Sequence, residues 1–325
     1  VDYDGTASSL LVEPERTNLI QYSEDITYVN SYLPSGVTLA SNQGVTPMGT
    51  DNATKLTSTG TDPFILYTIP NTNATFTLSV YAKGVGSSVG KDINFYLIRD
   101  NYLEAVKSSQ FTLTNEWVRY TATLSLSTNP TTQVIYRIDA PSVAETGDEV
   151  LIWGTQCEVG SYPTSYIPTD GGTVTRVQDQ YSKTGISNLI NSEEGVLFLE
   201  MAALSDDGTS RCISIYQNGS NFIKFLYSAT SNRVDFVAFS EGNVSCNIAK
   251  YISNTTENTK FGLKWKLNDF ALWINGVEEG TDTSGNTPLG MDKISFTDEG
   301  GSNGKLFGKV KQLQVFKTAL TDSEL

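Results

Sequence analysis

The sequence predicts an all-β protein built as two jelly-roll-type antiparallel β-sandwich domains in tandem. Three observations predict it. Short runs rich in β-branched and aromatic residues recur along the whole chain, each bounded by Gly, Pro, Asn or Asp. No segment holds an amphipathic helical period over about twelve residues. At 325 residues the chain is also long for a single core.

The elements come in this order. Residues 1–17 are expected as an extended lead-in. The first sandwich is expected over 18–170, with strands at 53–57, 64–69, 75–82, 93–99, 111–113, 118–126, 133–138 and 150–153. Period-two alternation assigns their faces. In Phe76-Thr-Leu-Ser-Val-Tyr-Ala-Lys83, Phe76, Leu78, Val80 and Ala82 face the core and Tyr81 faces out. Phe95 and Leu97 point in, so Asn94 and Tyr96 point out. Val134, Tyr136 and Ile138 point in, so Ile135, Arg137 and Asp139 point out. A polar seam over 171–180 leads to a second sandwich over 181–325. Its strands are expected at 195–201, 211–217, 222–227, 233–239, 261–267, 270–274 and 306–317. Asn275-Gly276 suits a tight hairpin turn, because both residues tolerate positive φ.

Composition excludes several function classes. Lys and Arg number 22 against 36 Asp and Glu, for a net charge of −14. That balance opposes binding to nucleic acid phosphate and to anionic membrane surfaces. No apolar run approaches the ~20 residues of a membrane span, so membrane insertion is not expected. There is no histidine, which removes the most frequent general base and a frequent zinc ligand. The 3 cysteines, Cys157, Cys212 and Cys246, have no CxxC spacing. Cys212 and Cys246 fall in one expected domain and admit a disulfide, with buried free thiols as the plainer reading. Both chain ends are expected to continue in a longer protein.

The stretch Trp153-Gly-Thr-Gln-Cys-Glu-Val-Gly-Ser-Tyr-Pro-Thr-Ser-Tyr-Ile-Pro-Thr-Asp170, continuing through Arg176 to Asp179, resembles a segment common in phage tail proteins and surface carbohydrate-binding proteins, where it closes a CenC-like carbohydrate-binding sandwich. The second half, through Phe261-Gly-Leu-Lys-Trp-Lys-Leu-Asn-Asp-Phe-Ala-Leu-Trp-Ile-Asn-Gly-Val277 and 308–324, resembles concanavalin A-like, laminin-G-like lectin domains. The resemblance implies a virion surface or extracellular protein: a tail or fibre adhesin, homo-oligomeric, with host or environmental polysaccharide and other virion proteins as partners. The alternatives are the binding portion of a secreted polysaccharide-degrading enzyme and a structural virion decoration without ligand.

Catalysis is not expected. A glycosidase needs two carboxylates across the scissile bond, and the strand beginning at Val196 offers Glu200 alone. No cofactor is expected: solvated turn residues are the plainer reading of the acidic pairs that by type admit a structural calcium ion. Its candidates by residue type are Glu24-Asp25, Asp206-Asp207 and Asp298-Glu299, and none has the spacing of a dedicated calcium loop. The candidate carbohydrate-binding residues are Tyr81, Asn94, Tyr96, Arg137 and Asp139 on the outside of the first sandwich, and Trp273 in the second. Trp273 alternates against Phe270, Leu272 and Ile274 and so falls on an outer surface; packing as core between the sheets, or a contact with the first domain, is the competing role for it.

Overall fold

The computed structural model describes residues 9–28, 33–60, 62–70, 73–100, 102–301 and 303–324. Among them the one helical segment is a 3-10 turn at Gly86–Ser88; the regular structure is otherwise antiparallel sheet. The chain forms two compact units, Glu15–Val177 and, with the residues through Pro14, Gln178–Leu325.

The N-terminal sandwich has two main sheets. One runs Phe111–Thr112, Asp92–Arg99, Val134–Asp139, Phe64–Ile69, Leu33–Ser35, with Glu104–Lys107 also paired to Asp92–Arg99. The other runs Val118–Ser125, Thr75–Val85, Glu149–Val159, Thr54–Ser58, Val37–Ala40. The faces match the alternation. Phe76, Leu78, Val80, Phe95, Leu97, Val134, Tyr136 and Ile138 pack in one core. Each large apolar side chain buried there contributes about 1.5–3 kcal/mol.

The strand expected to end at Trp153 instead runs Glu149–Val159. Gly154 reads in sequence as a breaker, but it sits in a β-bulge between Trp153 and Gln156 with φ +64°. The extra residue resets the parity, so Ile152 and Cys157 both face the core. A Cβ at Gly154 would lie 3.0 Å from the Tyr81 ring.

The segment after this strand is stitched back by Asn18, which is fully buried. Its Nδ2 donates to the carbonyls of Thr155 (3.2 Å) and Ile167 (2.9 Å). Its Oδ1 accepts from the amides of Ile20 (3.1 Å) and Cys157 (3.2 Å). Glu158 lies beside it, also buried, and accepts from Thr164 Oγ1 at 2.8 Å and from the Gln156 amide. Burial raises the Glu158 pKa, and the Thr164 and Gln156 hydrogen bonds oppose that rise.

The C-terminal sandwich has two six-stranded sheets. One runs Leu10–Val12, Gly308–Phe316, Glu194–Ala203, Thr259–Lys266, Phe270–Ile274, Val277–Asp282. The other runs Ser182–Thr184, Lys293–Ser295, Arg211–Asn218, Asn221–Tyr227, Arg233–Ser240, Asn243–Tyr251. Phe225, Phe236, Phe261, Leu263, Trp265 and Phe270 fill the core between them. Asn275 and Gly276 take φ +52° and +80°, the backbone of a tight hairpin turn.

The expectation for the lead-in is corrected. The lead-in is not merely extended: Leu10–Val12 pairs with Gly308–Phe316 of the C-terminal sandwich, and Arg16–Asn18 pairs with Val174–Arg176 of the N-terminal one. Three-residue strands carry too few side chains to show a period. The edge strands Asn243–Tyr251 and Val277–Asp282 also escape the sequence pattern, because exposed positions dominate them. All three cysteines are buried and free, so Cys212 and Cys246 do not pair. Burial pushes the thiols of Cys212 and Cys246 up to about 12, which leaves them protonated and inert.

Candidate functional site

The outer side of the Asp92–Arg99, Val134–Asp139 and Phe64–Ile69 strands gathers most of the candidate residues of the N-terminal sandwich. Register explains the grouping. Tyr96 lies opposite Arg137 on one side and Lys107 on the other; Asp139 lies opposite both Asn94 and Phe64. The Arg137 guanidinium sits 4.0 Å from the centre of the Phe64 ring and 5.1 Å from that of Tyr96. Its Nε donates to Asp139 Oδ1 at 2.6 Å, and its Nη2 donates to Asp139 Oδ2 at 3.2 Å and Asp62 Oδ1 at 3.0 Å. The exposed Lys107 ammonium stands 5.4 Å from the Tyr96 ring centre.

Electrostatics fix this arrangement. Asp139 is 4% exposed. Burial raises its carboxyl pKa, and the Arg137 hydrogen bond opposes the rise. Burial works against the Arg137 charge, but Asp139 and Asp62 outweigh it and hold the guanidinium above its ordinary value. The result is a rigid aromatic–guanidinium stack. Arg137 Nη1, the Tyr96 hydroxyl and Lys107 Nζ make no hydrogen bond to any described residue. Tyr96 and Arg137 are half-buried and Lys107 is exposed.

The remaining candidates are placed differently. Asn94 lies on the outer side by parity but is fully buried, and its amide oxygen and nitrogen have no partner among the described residues. At that depth it offers no surface to a ligand. Tyr81 belongs to the opposite sheet and so does not join Tyr96 in one platform. Its ring packs against Trp153 at 5.6 Å and Tyr166 at 6.3 Å, under the Arg119 guanidinium at 5.8 Å. Trp273 is on the outer side of its sheet, apart from the core cluster, with Phe198, Lys260 and Asn275 around a pocket of 230 Å³. Only 8% of it is exposed, so little of the indole is available for stacking.

The sequence reading missed Phe64, Lys107 and Asp62. Alternation against Ile65, Tyr67 and Ile69, which are all in the core, was the signal for Phe64. Lys107 and Asp62 reach the site only through strand pairing and a loop, which no local pattern shows.

The acidic pairs named as calcium candidates are engaged with protein groups. Among the described residues no three acidic, His or Cys side chains are placed to hold an ion. Asn52 donates to Glu24 and Thr27 to Asp25. Asp206 accepts from the Asn232 amide and Asp207 pairs with Arg211 at 2.7 Å. Asp298 and Glu299 share Lys224, whose Nζ lies 2.6 Å and 2.8 Å from them.

The Asp298–Glu299 pair yields a pH prediction. Burial, then the hydrogen bond with Asp298, pushes Glu299 up to about 7, while its bonds to Glu299 and Lys224 hold Asp298 low despite burial. A raised carboxyl favours the fold only while it is protonated. Its contribution is complete below the ordinary carboxylate range and is lost as pH rises through about 7. With no histidine in the chain, the melting temperature should fall between about pH 5 and pH 8, and Glu299→Gln should flatten that fall. Parallel melting profiles for the two proteins would contradict it.

No protein-family model and no curated protein matches the chain. Solved structures do. The N-terminal CBM22-1–CBM22-2 tandem domain of Xyn10C from Paenibacillus barcinonensis is similar over 96% of this chain and 100% of its own, at 12% identity and a TM-score of 0.34. Domains LG4-5 of the mouse laminin alpha1 chain are similar over 96% of this chain and 92% of their own, at 9% identity and a TM-score of 0.32. The CBM6cm-2 carbohydrate-binding module of Cellvibrio mixtus lichenase 5A covers 47% of this chain and all 100% of its own, at 10% identity and a TM-score of 0.29.

Proposed function

We propose that this chain is a non-catalytic glycan-binding protein, with sugar held on the outer face around Phe64, Tyr96 and Arg137. The observation that carries the reading is Arg137, fixed between two aromatic rings with Nη1 bonded to no described residue. Pyranose rings present apolar C–H faces and a rim of hydroxyls. An aromatic–guanidinium surface edged by donors complements both. One ring covered by sugar contributes on the order of 1–2 kcal/mol by apolar burial. Single-site affinity is therefore weak, and useful attachment needs several copies. A virion surface adhesin presented as a homo-oligomer meets that need, in keeping with the wording of residues 153–179.

Glu200 is the carboxylate that the sequence offered for glycoside hydrolysis. Glu200 is tied to Lys311 Nζ at 2.6 Å. Incubation with laminarin, alginate or agar should release no new reducing ends or unsaturated products. A turnover abolished by Glu200→Gln would overturn the non-catalytic reading. The binding reading is tested on a glycan array, comparing wild type with the Phe64→Ala/Tyr96→Ala double variant. Wild type should mark a defined set of glycans and the variant should lose it. A flat array for the wild type would remove the proposal.

A further inference from the structure

We propose that the C-terminal sandwich carries a second, independent sugar site: a pocket that takes one neutral pyranose unit against Tyr181. The pocket is 410 Å³, within the range of small-molecule sites, ~300–1,000 Å³. Tyr181 and Phe296 form its aromatic side, with ring centres 5.6 Å apart and planes tilted by 48°. Tyr181 stays 38% exposed, so a supported ring still has surface to give. Trp273, at 8%, has little.

Polar groups complete the lining. Tyr216 is largely buried and reaches the same pocket. Neither the Tyr181 nor the Tyr216 hydroxyl bonds to a described residue. Lys305 Nζ gives one bond to Gln178 Oε1 at 2.8 Å, and its two other donors bond to no described residue. Asp179 lies in the same lining and accepts from the Glu13 amide at 2.8 Å. A carboxylate and an ammonium together give the pocket no net charge, which favours a neutral ligand over a uronic acid or a phosphate.

The wall is built to stay in place. The Glu299 amide donates to Ser214 Oγ at 3.1 Å and the Gly300 amide to Ser295 Oγ at 3.2 Å. Lys224 ties down both Asp298 and Glu299. Gly300 has φ +77°, and a Cβ there would collide with the Tyr216 hydroxyl. The site is thus organised before anything binds.

The test titrates the methyl glycosides of glucose, galactose, mannose, xylose and N-acetylglucosamine into the full chain. The readout is the amide resonances of Gly300 and Gly301 and the ring resonances of Tyr181. At least one glycoside should move them with a Kd of about 1–10 mM. Tyr181→Ala should weaken that response at least about tenfold, and Lys305→Ala several-fold, while Tyr181→Phe keeps most of it. Tyr96→Ala should leave it unchanged, so this site and the Phe64–Tyr96–Arg137 face stand or fall separately. If none of the five glycosides moves these resonances, or only resonances of the Tyr96 face respond, the proposal fails. It also fails if folded Tyr181→Ala and Lys305→Ala both titrate like wild type.

Discussion

Asn18→Ala is expected to lower the unfolding free energy of the N-terminal sandwich by on the order of 4 kcal/mol. The side chain is fully buried and satisfies four backbone groups: the amides of Ile20 and Cys157 and the carbonyls of Thr155 and Ile167. Alanine strands all four in a dry site, and each unsatisfied group costs about 1–3 kcal/mol less whatever relaxation recovers. Asn18→Asp should be no better. It keeps the acceptor but removes both donors and places a charge beside two carbonyl oxygens. Chemical denaturation of the three proteins checks this. A loss below about 1 kcal/mol for Asn18→Ala would mean that water or a backbone shift replaces the amide.

The second large effect concerns Arg137. Arg137→Ala leaves the Asp139 carboxylate buried without its main partner. Breaking such a pair costs about 3 kcal/mol, because the remaining charge stays desolvated. Adding Asp139→Asn removes that charge and should restore most of the loss. Glycan binding should not return in the double variant, since the planar group between Phe64 and Tyr96 is still missing. Stability and binding are thereby separated within one pair of substitutions. If the double variant binds like wild type, Arg137 is a structural residue and the binding face lies elsewhere.

The fold was legible where alternation was long. Strands such as Phe64–Ile69 and Thr75–Val85 alternate over enough residues to fix both existence and facing. Strands of three residues, such as Leu10–Val12 and Lys293–Ser295, show no period and arise from ladder pairing. The bulge at Gly154 is visible only as a glycine, and its effect on parity appears when Ile152 and Cys157 are found on the same side.

The candidate site was legible in part for the same reason. Alternation tells which side of a strand a residue takes, not which sheet the strand joins. It therefore put Tyr81 and Tyr96 in one class, although they belong to opposite sheets. It also put Asn94 outside, although the residue is fully buried. Tyr96 and Arg137 met because their strands are direct neighbours. The Tyr181 pocket left no trace in sequence. It is made by the end of Lys293–Ser295, the start of Ser182–Thr184 and a glycine loop, brought together by pairing across more than a hundred residues of chain.

The most direct measurement is a crystal structure of the full chain with the strongest glycan from the array. A sugar ring should lie against Phe64 and Tyr96, with a hydroxyl within hydrogen-bonding distance of Arg137 Nη1. Density for the glycan in the crystal with that face accessible and bare would contradict the account.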